Sequence, residues 1–132
     1  MTAPKNSPWG PVQDSFELAA GIVEVSTASH GGIWLSAERQ KEIGRCEGNF
    51  LGSVEWWEED CDWAVPYAFF SRDIRAYGTA CRFEDNLKAA VATVRRHHPK
   101  FVARLEGRVD PACADIPEFI KDLAAPDGGV RT

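Results

Sequence analysis

The segment Phe83–His97 carries the clearest helical pattern of the chain. Its apolar residues recur at the spacing of one helix face, and Pro99 ends the pattern. The residues of this face are Phe83, Leu87, Val91 and Val94. Acidic residues near the start and basic residues near the end complement the helix dipole. We therefore expect a stable amphipathic helix that covers a sheet.

Short segments rich in β-branched residues predict that sheet. Val23 and Val25 alternate with polar residues, which is typical of a strand with one solvated face. Comparable patterns predict strands over residues 21–27, 33–35 and 54–57. The expected fold is α+β, with a small antiparallel sheet of about three strands packed against two or three helices.

Two or three further helices are predicted from their ends. Ser36 can cap a helix over residues 37–43 that Gly44 ends. A second helix begins near Asp60 or Asp62 with Pro66 in its first turn. Its buried face contains Tyr67, Phe69, Phe70 and Ile74. A weak last helix is predicted over Ile116–Ala124.

The chain of 132 residues has the size of one domain. Prolines predict an extended N-terminal arm over residues 1–14, although the large aromatic surface of Trp9 favours its docking on the body. We expect a single domain over residues 15–124 and a mobile tail over residues 125–132.

The net charge of −5 argues against direct nucleic-acid binding and favours a partner with a basic surface. No apolar run is long enough to cross a membrane, and the first residues do not resemble a signal peptide. We expect a cytoplasmic protein that does not bind membranes.

The cysteines give no indication of a cofactor. Cys46, Cys61, Cys81 and Cys113 are widely spaced and form no C-x-x-C pair. We expect free thiols, no cofactor and no metal site.

The loop around His30 is the first candidate site. His30 could act as a general base, with Ser26 or Ser29 nearby as a nucleophile, and the glycines that follow could present N–H groups to an anion. A plain hairpin turn, in which His30 only makes hydrogen bonds within its own turn, is the alternative.

The segment 56–63 is the second candidate site, because it combines tryptophans with carboxylates. Acidic and aromatic groups together can anchor a basic partner, whereas the alternative is simply the start of a helix. The predicted partner-binding residues are Glu58, Glu59, Asp60, Asp62, Trp57, His30 and Trp34. If the loops at 28–32 and 58–62 meet, His30 lies beside carboxylates.

Two further features have simpler interpretations. The cluster at 95–98, which ends with His97 and His98, is interpreted as compensation of the helix dipole on a solvated face. Cys61 lies among acids, and their negative charge disfavours its thiolate, so a reactive nucleophile is not expected there.

Three sequence blocks resemble the signature of a known small family. They are WGPVQ at 9–13, VSTASHGGIWLS at 25–36 and EEDCDWAV at 58–65. These blocks are similar to those of an uncharacterised domain family of proteobacterial phages, plasmids and integrated elements, and the likeness covers residues 9–75. Here Trp57 replaces the Tyr that members often place before the acidic block. The resemblance implies a mobile-element setting and assigns no catalytic residues.

The expected function is a non-enzymatic mobile-element protein that binds and inhibits or modulates a host defence nucleoprotein complex, such as a CRISPR effector, through an acidic and aromatic surface. The alternative is a small hydrolase or transferase with His30 as base, Glu59 or Asp60 orienting it, and Ser29 as nucleophile. A third hypothesis is a metal-binding regulator that uses His30, Cys61 and the acids.

Overall fold

A computed structural model describes residues 3–44 and 52–105. Its centre is a four-stranded antiparallel sheet whose strands lie side by side in sequence order. The strands are β3 (Asp14–Ala19), β4 (Ile22–Ser26), β5 (Gly31–Leu35) and β6 (Trp56–Glu58). A small N-terminal hairpin of β1 (Asn6–Ser7) and β2 (Gly10–Pro11) precedes them.

The helices form a second layer. They are α1 (Ala37–Ile43), α2 (Ala64–Phe69), α3 (Ser71–Tyr77) and α4 (Phe83–His97), and a 3₁₀-helix over Pro99–Leu105 follows α4. The bounds predicted for α1 and α4 are confirmed, including the Ser36 cap and the end at Gly44. The segment after the acidic block forms two short helices that meet at Phe70, rather than one.

The two faces of the sheet are covered by different parts of the chain. The face with Ile22, Ile33, Leu35 and Trp57 packs under the helices and contributes to the main core. Val23, Val25, Trp34 and Trp56 form a smaller cluster on the opposite face. The N-terminal segment covers this second cluster, and Trp9 packs edge to face on Trp56 at 5.7 Å between ring centroids. The expected docking of Trp9 is therefore confirmed.

The α+β class is confirmed, but the predicted strand count is wrong. The sheet has four strands because Asp14–Ala19 adds an edge strand, which pairs with β4 across a two-residue turn at Ala20 and Gly21. Gly21 takes a φ of 79° there, a left-handed conformation that suits glycine.

The two glycines after His30 also lie elsewhere than predicted. The turn spans Thr27–His30, and both glycines belong to β5. A Cβ on Gly32 would overlap the carbonyl oxygen of Trp57 and come within 2.7 Å of Trp9 Cη2. Close packing between β5, β6 and the Trp9 ring, rather than a special φ, therefore requires glycine at position 32.

The outer edge of the sheet at β3 contacts α3 and the residues after it. The Tyr77 hydroxyl donates to Glu17 Oε1 at 2.8 Å, and the Thr79 hydroxyl donates to the Glu17 carbonyl at 2.8 Å. These contacts attach the helical layer to the edge strand.

No helix within residues 3–44 and 52–105 is long and apolar enough to cross a membrane. The predicted helix over Ile116–Ala124, the tail over 125–132, Cys46 and Cys113 lie outside the described residues.

Candidate functional site

A cleft of about 670 Å³ opens between the sheet and the helices. Its floor is formed by β3, β4 and β5, and its wall by the start of α2 with α4. We call it the acidic cleft and define it by Asp14, Phe16, Glu24, Glu59, Trp63, Tyr67 and Asn86. Three of these seven side chains are carboxylates and three are aromatic. None of the described residues that line it is Lys, Arg or His.

The register of the sheet brings these residues together. Phe16 pairs with Glu24, and Glu24 pairs with Ile33, so the three side chains lie in one row on the helix-facing side. Within this row Phe16 is 42% exposed. An exposed aromatic ring beside a carboxylate is suited to contact a ligand that is partly apolar and cationic.

Tyr67 is the buried polar group of the cleft. The residue is 3% exposed, and within the described ranges its hydroxyl forms no hydrogen bond of acceptable geometry. The pKa of Tyr67 is raised to about 12, chiefly by burial and in smaller part by the Glu24 charge, while the nearby Asn86 side chain acts in the opposite direction. A buried hydroxyl without a hydrogen bond costs about 1–3 kcal/mol, which a bound polar group could recover.

Glu24 is the cleft carboxylate with an altered acidity. Glu24 is exposed as a residue, but partial burial of its carboxyl group raises the pKa of Glu24 above the ordinary value of 4.5. Removal from water therefore disfavours the charged form, so a cation that entered the cleft would relieve part of this cost.

The two predicted loops do meet. The Glu59 N–H donates to the Gly31 carbonyl at 3.0 Å, and the Glu59 carboxylate lies against Gly31. The His30 imidazole, however, makes no hydrogen bond or ion pair to any described residue. Its backbone N–H and carbonyl are both bonded to Thr27, as the simple turn interpretation expects.

Four of the predicted partner-binding residues are buried. Trp57 and Asp62 are fully buried, Trp34 is 6% exposed and Glu58 is 8% exposed. Trp57 belongs to the main core, and the Trp34 indole donates to Glu55 at 2.9 Å under the N-terminal segment. Their assignment to an exposed surface is therefore wrong, because neighbouring side chains cover them.

The remaining predicted residues are accessible. His30, Ser29, Glu59 and Asp60 are exposed, but only Glu59 lines the acidic cleft. Glu58 turns inward, and its Oε1 accepts the Asp60 N–H at 3.0 Å. Burial raises the pKa of Glu58, while that N–H acts in the opposite direction.

A second group of chemically active side chains lies at the start of α2. His98 Nε2 is 3.2 Å from Asp62 Oδ1, and Cys61 Sγ is 3.7 Å from the same oxygen. Both Asp62 and His98 are buried. Burial, and then the negative charge of Asp62, raises the pKa of the Cys61 thiol to about 11, which confirms that its thiolate is disfavoured.

The interpretation of His98 as part of a solvated face is wrong. Arg95, Arg96 and His97 are exposed, whereas His98 is 3% exposed and contacts Asp62. The sequence spacing could have indicated that His98 is buried, because position 98 follows Val94 by four residues and continues the buried face of α4.

The chain can also be compared with known proteins. A family model described as a domain of unknown function, DUF7007, matches residues 2–115. This chain belongs to that family. The DUF7007 match agrees with the expected uncharacterised small-domain family and extends beyond the segment 9–75 that carried the resemblance. No curated protein and no solved structure matches the chain.

Proposed function

We propose that this DUF7007 domain is a binding protein that takes an arginine or lysine side chain of a protein partner into the acidic cleft. The observation that carries the proposal is the buried Tyr67 hydroxyl, which makes no hydrogen bond among the described residues, beside Glu24 in a cleft lined by carboxylates and aromatic rings.

Charge supports a basic ligand rather than an acidic one. Asp14, Glu24 and Glu59 line the cleft, and the whole chain has a net charge of −5. A guanidinium group could donate to the carboxylates and to the Tyr67 oxygen, while its flat face packs against Phe16 or Trp63.

The partner class follows from the family resemblance and from the charge. Small acidic proteins of mobile elements can occupy the basic surfaces of host nucleoproteins, and the cleft gives such a contact a specific anchor. We therefore propose a host defence complex, such as a CRISPR effector, as the partner. The acidic surface is now defined by Asp14, Glu24 and Glu59 in place of the buried Glu58 and Asp62.

The experiment is an NMR titration of the protein with a short arginine-rich peptide. We expect shifts of the Tyr67, Glu24 and Glu59 signals that weaken as salt concentration rises. The variant E24Q/E59Q should bind at least tenfold more weakly. The matched control E38Q/E84Q removes the same charge from exposed acids of α1 and α4. Equal weakening in both double variants would reduce the interaction to a nonspecific charge effect and contradict the proposal.

Tyr67→Phe separates a ligand role of the hydroxyl from a structural one. Removing a buried hydroxyl that lacks a hydrogen bond should raise the free energy of unfolding by about 1 kcal/mol. If the ligand bonds to this oxygen, the same variant binds the peptide more weakly. Unchanged peptide affinity would remove Tyr67 from the binding site.

The proposed host role has its own assay. Purified CRISPR effector should lose target-DNA binding when wild-type protein is added. It should keep target-DNA binding when the E24Q/E59Q variant is added instead. If the wild type has no effect while the peptide still binds in the cleft, the partner is another basic protein.

An enzyme that uses the same cleft is the second candidate. It is favoured by Glu24, because a carboxyl group with a raised pKa can act as a general acid or base. In this version Glu24 takes the role that the sequence suggested for His30. Turnover of a candidate ester or amide substrate that Glu24→Gln abolishes, and that His30→Gln leaves unchanged, would favour this candidate over simple binding.

A further inference from the structure

We infer that Cys61, Asp62 and His98 form a site for a single divalent transition-metal ion, with Zn²⁺ the best match. This site is separate from the acidic cleft and does not depend on the proposed function. It also replaces the sequence-based metal hypothesis, because His98 rather than His30 supplies the imidazole.

Two of the three ligand separations fit a tetrahedral ion. The potential ligand atoms of the three residues all lie within 4.8 Å of one another. Zinc bonds of about 2.0–2.1 Å to oxygen and nitrogen and about 2.3 Å to sulfur place two tetrahedral ligands about 3.3–3.6 Å apart. The His98–Asp62 separation of 3.2 Å and the Cys61–Asp62 separation of 3.7 Å lie close to these values.

The fold holds the ligands on well-defined elements. His98 is the residue that ends α4, and its N–H donates to the Val94 carbonyl at 2.8 Å. The Asp62 carbonyl accepts the Val65 N–H in the turn that leads into α2. Cys61 is only partly buried, so an ion could enter from its side. Preorganised ligands and an entry path are what a specific metal site requires.

The electrostatics of the cluster also suit a cation. The Asp62 carboxylate lies 3.7 Å from Cys61 Sγ, so a Cys61 thiolate would face a negative charge. A divalent ion would reverse this repulsion, because it binds the thiolate and the carboxylate together. Sulfur, imidazole and carboxylate ligands together favour Zn²⁺, with Co²⁺ as its spectroscopic substitute. Three protein ligands leave one tetrahedral position for water.

The test is a Co²⁺ titration of untagged, reduced protein that has been freed of metal. We expect one equivalent to bind with a thiolate-to-cobalt charge-transfer band, and Zn²⁺ to displace it. Cys61→Ser should abolish the band and weaken binding at least about tenfold. The triple variant C46S/C81S/C113S, which keeps Cys61 as its sole thiol, should retain the band.

The histidine is tested by a matched pair of variants. His97→Asn changes the exposed neighbour and should bind cobalt as the wild type does, whereas His98→Asn should lose saturable binding. Since His98 is buried, its variant is compared only if its far-UV circular dichroism matches that of the wild type. Cys61→Ser avoids this problem because Cys61 is partly exposed.

Proton release gives a second readout. Binding of the ion displaces the proton of the Cys61 thiol, because the thiolate is the metal ligand, so the metal affinity should rise with pH. Cys61→Ser should remove that dependence. Two results would overturn the inference: a wild-type cobalt complex without a thiolate band, or a Cys61→Ser titration equal to that of the wild type.

Discussion

Gly32→Ala should destabilise the protein strongly although it adds one methyl group. The new Cβ would overlap the Trp57 carbonyl oxygen of β6 and meet the Trp9 ring. The backbone of β6 cannot rotate away from this contact as a flexible side chain could. The pairing of Gly32 with Glu58 must therefore open, or the two strands must move apart.

The expected cost comes from this overlap. Overpacking a close contact costs about 1–3 kcal/mol of stability. Because Gly32→Ala also disturbs the pairing of β5 with β6, we expect a cost at the upper end of this range. For a domain of this size, 1 kcal/mol corresponds to a Tm change of about 3–5 °C. We expect Gly32→Ala to lower Tm by roughly 10 °C or more.

Thermal and guanidinium unfolding measure the effect, with Gly78→Ala as the control. Gly78 has a φ of 82°, but a Cβ there would approach other atoms only to 4.0 Å. The control therefore measures backbone strain alone, about 1 kcal/mol. Trp9→Ala combined with Gly32→Ala should cost less than the sum of the two single changes, because the ring overlap is gone. A Gly32→Ala protein less destabilised than Gly78→Ala would refute the packing argument.

Two other predictions concern the N-terminal segment and the acidic cleft. Trp9→Ala should lower the free energy of unfolding by about 1–2 kcal/mol, since Trp9 is only half-buried. Hydrogen exchange at the Val12 N–H, which bonds to the Lys5 carbonyl, should accelerate, and unchanged exchange would contradict the docking role. Glu24→Gln should raise Tm at pH 7. The pKa of Glu24 is raised in the folded protein, so the charged carboxylate lowers the free energy of unfolding at pH values above the pKa that Glu24 has in the unfolded chain. The gain should vanish as pH falls below about 4, and a difference that is constant with pH would contradict this origin.

The sequence predicts elements whose signals are local. The helix Phe83–His97 is correct at both ends, because an apolar face and a following proline are visible within fifteen residues. The helix after Ser36 is correct for similar reasons, with a cap and a terminal glycine. Strand β3 was missed because its first residues, Asp14 to Phe16, are exposed and lack β-branched side chains.

The candidate site depended on pairings that the sequence does not reveal. The cleft joins Phe16 and Glu24 from neighbouring strands with Tyr67 from a helix more than forty residues later. No local pattern distinguishes Glu24, whose carboxyl group is desolvated, from other strand carboxylates. The acidic block drew attention for its composition, yet Glu58 and Asp62 turn inward there. Of the carboxylates in this block, only Glu59 lines the cleft.

The attachment of Tyr77 and Thr79 to Glu17 restricts how other proteins can bind. An incoming β-strand that extended the sheet beside β3 would compete with the Thr79 hydroxyl for the Glu17 carbonyl. Recognition by β-augmentation is therefore obstructed at this position, and so is self-assembly through the same edge. A partner approaching this side meets side chains first, and its selectivity depends on their chemistry rather than on main-chain pairing.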